Sequence, residues 1–138
     1  MKSIITILLV SVTLVCCSKK SGVSAPAITK ENLVGSYKLA ATTVTYNGVK
    51  VDVLALYPCR ADDIYTLNAN DTYTVSDGAT TCTPSSNDSG TWSLSGKIIT
   101  LGTAQFTITS FDGTTIQATS SFTYQGQTLP SSSTFKKQ

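Results

Sequence analysis

Acid–base and nucleophilic chemistry draw on a small set of side chains, and this 138-residue chain is short of them. It has no histidine and a single glutamate, Glu31. A serine nucleophile therefore lacks its usual base. Asp62 and Asp63 are adjacent carboxylates, but neighbours along a strand point to opposite faces, unlike the facing pair that glycoside cleavage uses. The same two residues with Asp77 could form an oxygen-rich Ca²⁺ site. EF-hand spacing is missing, however, and a solvated loop in which Asp62 or Asp63 accepts backbone hydrogen bonds is the plainer reading. Two cysteines without histidine fall short of the four ligands zinc takes. The expectation is a protein that is not an enzyme, with no metal and no cofactor.

The cysteines carry more. Cys16 and Cys17 end the stretch "TLVCCSKK", after Lys2 and an apolar run from Ile4 to Val15 broken only by Ser and Thr. A run of about a dozen residues is too short to cross a bilayer core as a helix and fits a secretory leader. Leu14-Val15-Cys16-Cys17 resembles a bacterial lipobox, with an aliphatic residue at −3, a small one at −1 and the cysteine after the cut. The resemblance implies cleavage before Cys17, diacylglycerol on its sulfur and a fatty acyl group such as palmitate on its amine. Several acyl chains hold a protein far more firmly than one. Residues 1–16 are thus expected as a lipoprotein signal peptide and 17–30 as a flexible, Ser- and Lys-containing tether. Residues 31–138 are expected as the folded domain. The expected location is the cell envelope, lipid-anchored in the outer membrane and facing the periplasm. The acidic residues that follow the lipid cysteine in many surface-exported lipoproteins are absent here.

Cys59 and Cys82 remain, an even pair in an oxidising compartment, and read as a disulfide. Ten basic against eight acidic residues, with no basic block interleaved with aromatics, argue against nucleic acid as a partner.

Something must position these groups, and the composition points to strands. Thr is abundant and recurs at every second position, as suits a pleated, half-buried surface. Only "ITKENLVG" reads as a helical turn, with Thr29 as N-cap and Gly35 as stop. From there the period is two. Tyr37, Leu39 and Ala41 alternate, then Val44 and Tyr46 after a change of phase, up to the hairpin signal Asn47-Gly48. Tyr65 and Leu67 pair with Tyr73 and Val75 across a turn at Asn68–Asp71, with Leu67 expected opposite Thr72. Ser95-Gly96 and Asp112-Gly113 turn two further hairpins, and Phe122 and Tyr124 precede a turn at Gly126 and a last short strand ending near Phe135. Eight or nine strands joined by tight turns predict an all-β domain, an eight-stranded antiparallel up-and-down barrel whose closure removes its edges. The apolar stretch Val51 to Tyr57 reads as a lid over the barrel mouth or as an exposed contact patch.

Three motifs then carry a family likeness. Leu33, Gly35 and Leu39, with Tyr37 where Trp is usual, form the first. Cys59, Asp62, Asp63 and Tyr65, with Leu67 for Phe, form the second. Gly90, Trp92 and Leu94 form the third. Together they resemble the lipocalin-like domain of Bacteroidetes lipoproteins, over about residues 33–135. The resemblance implies a barrel with an internal pocket and supplies no catalytic residue. The expected pocket aromatics are Tyr37, Tyr65, Tyr73, Trp92, Phe106, Phe122 and Tyr124, with tyrosine hydroxyls orienting a small amphipathic ligand. The expected function is a lipid-anchored protein that binds or carries a small hydrophobic molecule. The alternative is a packed barrel acting as a non-catalytic protein-interaction module, such as an envelope scaffold or a protease or lysozyme inhibitor.

Overall fold

The computed structural model describes residues 24–138, apart from the side chain of Phe122. The 1–16 leader, Cys17 and the first part of the 17–30 tether lie outside the described residues. A four-residue helix, α1 (Lys30–Leu33), comes first, its N-cap Thr29 accepting from the Asn32 N–H. Nine strands follow: β1 (Gly35–Tyr46), β2 (Val49–Asp52), β3 (Ile64–Leu67), β4 (Thr72–Ser76), β5 (Asp88–Ser95), β6 (Ile98–Leu101), β7 (Ala104–Phe111), β8 (Thr115–Tyr124) and β9 (Gln127–Lys137). Between β2 and β3 stand a second short helix, α2 (Val53–Leu56), and a 3₁₀ turn over Pro58–Asp62.

Eight strands close a barrel. Consecutive strands from β3 to β9 pair antiparallel, β1 pairs with β3, and β1 meets β9 from Tyr37↔Lys137 to Val44↔Ser131. β2 pairs only with β1, along Thr43 to Tyr46 and above the Gly35 to Lys38 stretch that pairs with β3, so the β1–β2 hairpin forms an arm at one end of the barrel. Its turn, Asn47-Gly48, has positive φ at both residues (49° and 79°), as a type I′ turn requires. β9 is an eleven-residue strand rather than the short one expected. Pro130 is tolerated in it because it lies beyond Ser131, the last partner of β1, where that edge of β9 is free.

Strand directions give the barrel two distinct ends. The lower end collects α1, the turns after β3, β5 and β7, and the C-terminus. The upper end collects the β1–β2 arm, the long loop after β4, and the turns after β6 and β8. Leu33 of α1 is fully buried and plugs the lower end, joining Tyr37, Leu67, Tyr73, Trp92, Ile99, Ile108, Phe111, Ile116 and Ala118 in the core. Trp92 donates from its indole N–H to the Asn68 carbonyl at 2.8 Å. The Lys30 ammonium, ion-paired with Asp71, lies 5.2 Å from the Trp92 ring centroid. The chain also arrives at this end: a Cβ on Gly113, in the β7–β8 turn, would come within 3.3 Å of the Pro26 ring.

The register of β3 and β4 differs by one from the expected one, since Leu67 faces Tyr73 rather than Thr72. Asn68 closes the turn by donating its backbone N–H to the Thr72 carbonyl, which leaves Asn68 opposite Thr72. The Asn47-Gly48 and Gly96-Lys97 turns each hold two residues between paired strand ends, so the second hairpin also turns one residue later than expected.

Candidate functional site

The barrel interior holds an apolar cavity of about 50 Å³. Rungs of the closed sheet supply its wall: Tyr37 opposite Tyr65, Ile99 opposite Phe106, and Ile116 opposite Phe135. Leu67, Leu101 and Ala118 complete the lining. Tyr65 and Phe135 meet edge to face with centroids 5.3 Å apart, which fixes both rings. The volume would hold a few waters or the tip of an alkyl chain. It falls well below the several hundred Å³ of an ordinary small-molecule pocket.

Of the seven pocket aromatics expected from sequence, the structure brings Tyr37, Tyr65 and Phe106 to this cavity. Tyr73 and Trp92 are buried in the core without lining it. Tyr124 is 50 % exposed near the tip of the β8–β9 hairpin, edge to face with Tyr46. The hairpin there has run past the closure of β9 on β1, so the inward direction of the alternation no longer meets an interior. The side chain of Phe122 is outside the described residues.

Two of the tyrosine hydroxyls are engaged by groups of the protein itself. Tyr37 donates to the Leu33 carbonyl at 2.8 Å, towards the lower plug, and burial pushes its phenol up to about 12. Tyr73 donates to Asp88 at 2.6 Å, and that carboxylate, followed by burial, holds its phenol above the usual range. The Tyr65 phenol is also raised, first by burial and then by the charge of Asp63.

Polar handles come instead from short side chains that the sequence reading passed over. On β8 and β9, Ile116/Phe135, Ala118/Ser133 and Ser120/Ser131 are successive inward rungs. Ser133 is buried and shares a hydroxyl hydrogen bond with Thr42 of β1 at 2.8 Å, and Ser120 shares one with Ser131 at 2.7 Å. Apolar rungs thus give way to hydroxyl rungs on the same wall, towards the upper end. The signal was present: Ser131 and Ser133 alternate with the same period and phase as Phe135.

At the upper end Cys59 and Cys82 form a disulfide, their Cα atoms 5.3 Å apart. It ties the 3₁₀ turn to the loop after β4. Asp62 and Asp77 tie the same loop. Asp62 accepts from the Thr80 N–H at 2.9 Å, and Asp77 accepts from the Ser85 and Ser86 hydroxyls and the Ser86 N–H. Those donors, the Ser85 hydroxyl foremost, hold the Asp77 carboxyl below the usual carboxylate range. Asp63 is 0 % exposed, and neither of its side-chain oxygens has a hydrogen-bond partner among the described residues. Asp63, Asp77 and the Cys82 sulfur bring one ligand atom each within 4.8 Å of one another. A disulfide sulfur is no thiolate, and two carboxylates fall short of the six to eight oxygens Ca²⁺ takes.

Residues 33–130 match the family described as the lipocalin-like domain. No curated protein and no solved structure matches the chain.

Proposed function

We propose, since this chain belongs to the lipocalin-like domain family, that it binds and carries a small hydrophobic molecule in its barrel while lipid on Cys17 anchors it in the cell envelope. The anchored protein faces the periplasm from the outer membrane, with the 17–30 tether as spacer. The observation that carries this reading is the unbroken apolar lining of the interior cavity, from Tyr37 and Tyr65 to Ile116 and Phe135, inside a closed barrel. An apolar group that leaves water for such a wall gains roughly 25 cal/mol for each Å² of apolar surface covered. The role is one of binding and not of catalysis: the chain lacks histidine, and its paired aspartates are committed to loop structure and burial.

Native mass spectrometry of the tether-free domain, secreted to its own periplasm and purified gently, tests this. A stable adduct that vanishes on denaturation is the expected result. A bare mass, together with failure to take up any apolar dye, overturns it.

A second reading has its own support. The cavity is small, and the stretch Val51 to Tyr57 leaves Leu56 and Tyr57 63 % and 57 % exposed. In that reading the packed barrel presents its upper arm to a protein partner. Loss of a co-purifying protein on Leu56→Ser with Tyr57→Ser, and no ligand adduct, would support it.

A further inference from the structure

The ladder between β7 and β8 runs only from Phe111↔Ile116 to Thr107↔Thr119. Above that rung the two strands part. Ala104 to Phe106 pair with β6 alone, and Ser120 to Tyr124 pair with β9 alone. Among the described residues, the two facing edges have no strand partner across the gap. A closed barrel owes its stability partly to having no such edges, so an open stretch in one seam is a departure that calls for a role.

The gap contains a cleft of about 410 Å³, edged by Thr103, Ala104, Gln105 and Phe106 on one side and Ser120 and Ser121 on the other. That volume lies within the range of small-molecule sites, whereas the 50 Å³ interior does not. Phe106 lines both spaces and is only half-buried, so a single ring stands between the cleft and the apolar interior. On the far side Ser120 and its hydrogen-bonded partner Ser131 form the hydroxyl-bearing rung next above Ala118/Ser133.

We propose that this seam is the passage into the barrel, that Phe106 is the side chain that gates it, and that the ligand is amphipathic. Its apolar part displaces Phe106 and enters the interior cavity. Its polar end stays in the cleft, among the hydroxyls of Thr103, Ser120 and Ser121 and the Gln105 amide. Unpaired main-chain N–H and C=O groups along both edges supply further donors and acceptors. The inference rests on the carrier reading and adds to it a route and a place for the ligand's polar end. The seam also supplies the room that the interior lacks.

Stopped-flow mixing with cis-parinarate, a fluorescent acyl chain ending in a carboxylate, tests the route. Ala104→Trp fills the cleft from an exposed position and should slow association by about tenfold; Phe106→Ala should speed it by a similar factor, within the span that variants of one site commonly show. Val49→Trp, on the upper arm, should leave the rate unchanged. If parinarate binds but Ala104→Trp leaves its association rate unaltered, or if Val49→Trp is the variant that slows it, the lateral passage is wrong while the carrier reading stands. If parinarate and shorter-chain analogues fail to bind the wild type, both are overturned.

Discussion

The two ends of this barrel are built on different principles. The lower end is held by packing: Leu33 plugs it, Tyr37 and Trp92 bond to the backbone beneath them, and Lys30 stacks on Trp92 while paired to Asp71. The upper end is held by a covalent bond and by carboxylates that gather loop donors, and its side chains are hydroxyls and exposed rings. On the proposed reading the contrast separates stability from binding: the buried core joins the plug where the chain enters, and the binding surfaces lie where the ladder between β7 and β8 ends.

Trp92→Ala should probe that contrast most strongly. Removing a buried ring that joins the core to the lower cap should cost about 3–5 kcal/mol, read by urea unfolding. Reduction, or Cys59→Ser with Cys82→Ser, should come second. Freeing a closed loop of this length costs roughly 3 kcal/mol in the chain-entropy model, and hydrogen exchange should rise mainly in the loop after β4. If exchange instead rises equally in α1 and β1, the two ends are one cooperative unit and the comparison fails. Tyr37→Phe should be the mildest, at about 1–2 kcal/mol, because it leaves the buried Leu33 carbonyl without its donor. It carries a pH signature too. The phenol ionises near 10 in the unfolded chain and near 12 in the folded one. Between those values the unfolded state binds fewer protons, so stability is fully present below pH 10 and falls as pH rises towards 12. Alkaline melting curves should show that fall, and Tyr37→Phe should flatten the part due to this residue.

Much of this was legible in the residues. Period-two alternation, glycine-bearing turns and the paired cysteines give the strand order and the staple, and Thr29 with Leu33 gives the cap. What was illegible traces to features that alternation alone does not encode. Irregular register between Ile108 and Ser110 shifts the inward phase, which is how Phe111 came to be buried outside the expected set. The change of phase expected in β1 after Ala41 is present and falls between Leu39 and Ala41. Hydroxyl rungs escaped notice because serine looks like surface until the strand opposite is known. Asp63 looked like a loop residue, and its burial depends on the 3₁₀ turn and stapled loop folding over it. The cavity's size depends on ring rotamers, which no pattern of residue types reports.

The contact of Pro26 with the β7–β8 turn has a consequence for orientation. Pro26 lies at the plugged face, so with the lipid anchoring proposed above the domain would be attached at that face. The seam, the hydroxyl rungs and the exposed arm would then lie at the end of the barrel away from the attachment. On the carrier reading, a soluble donor or acceptor would then reach the seam without passing the point of attachment.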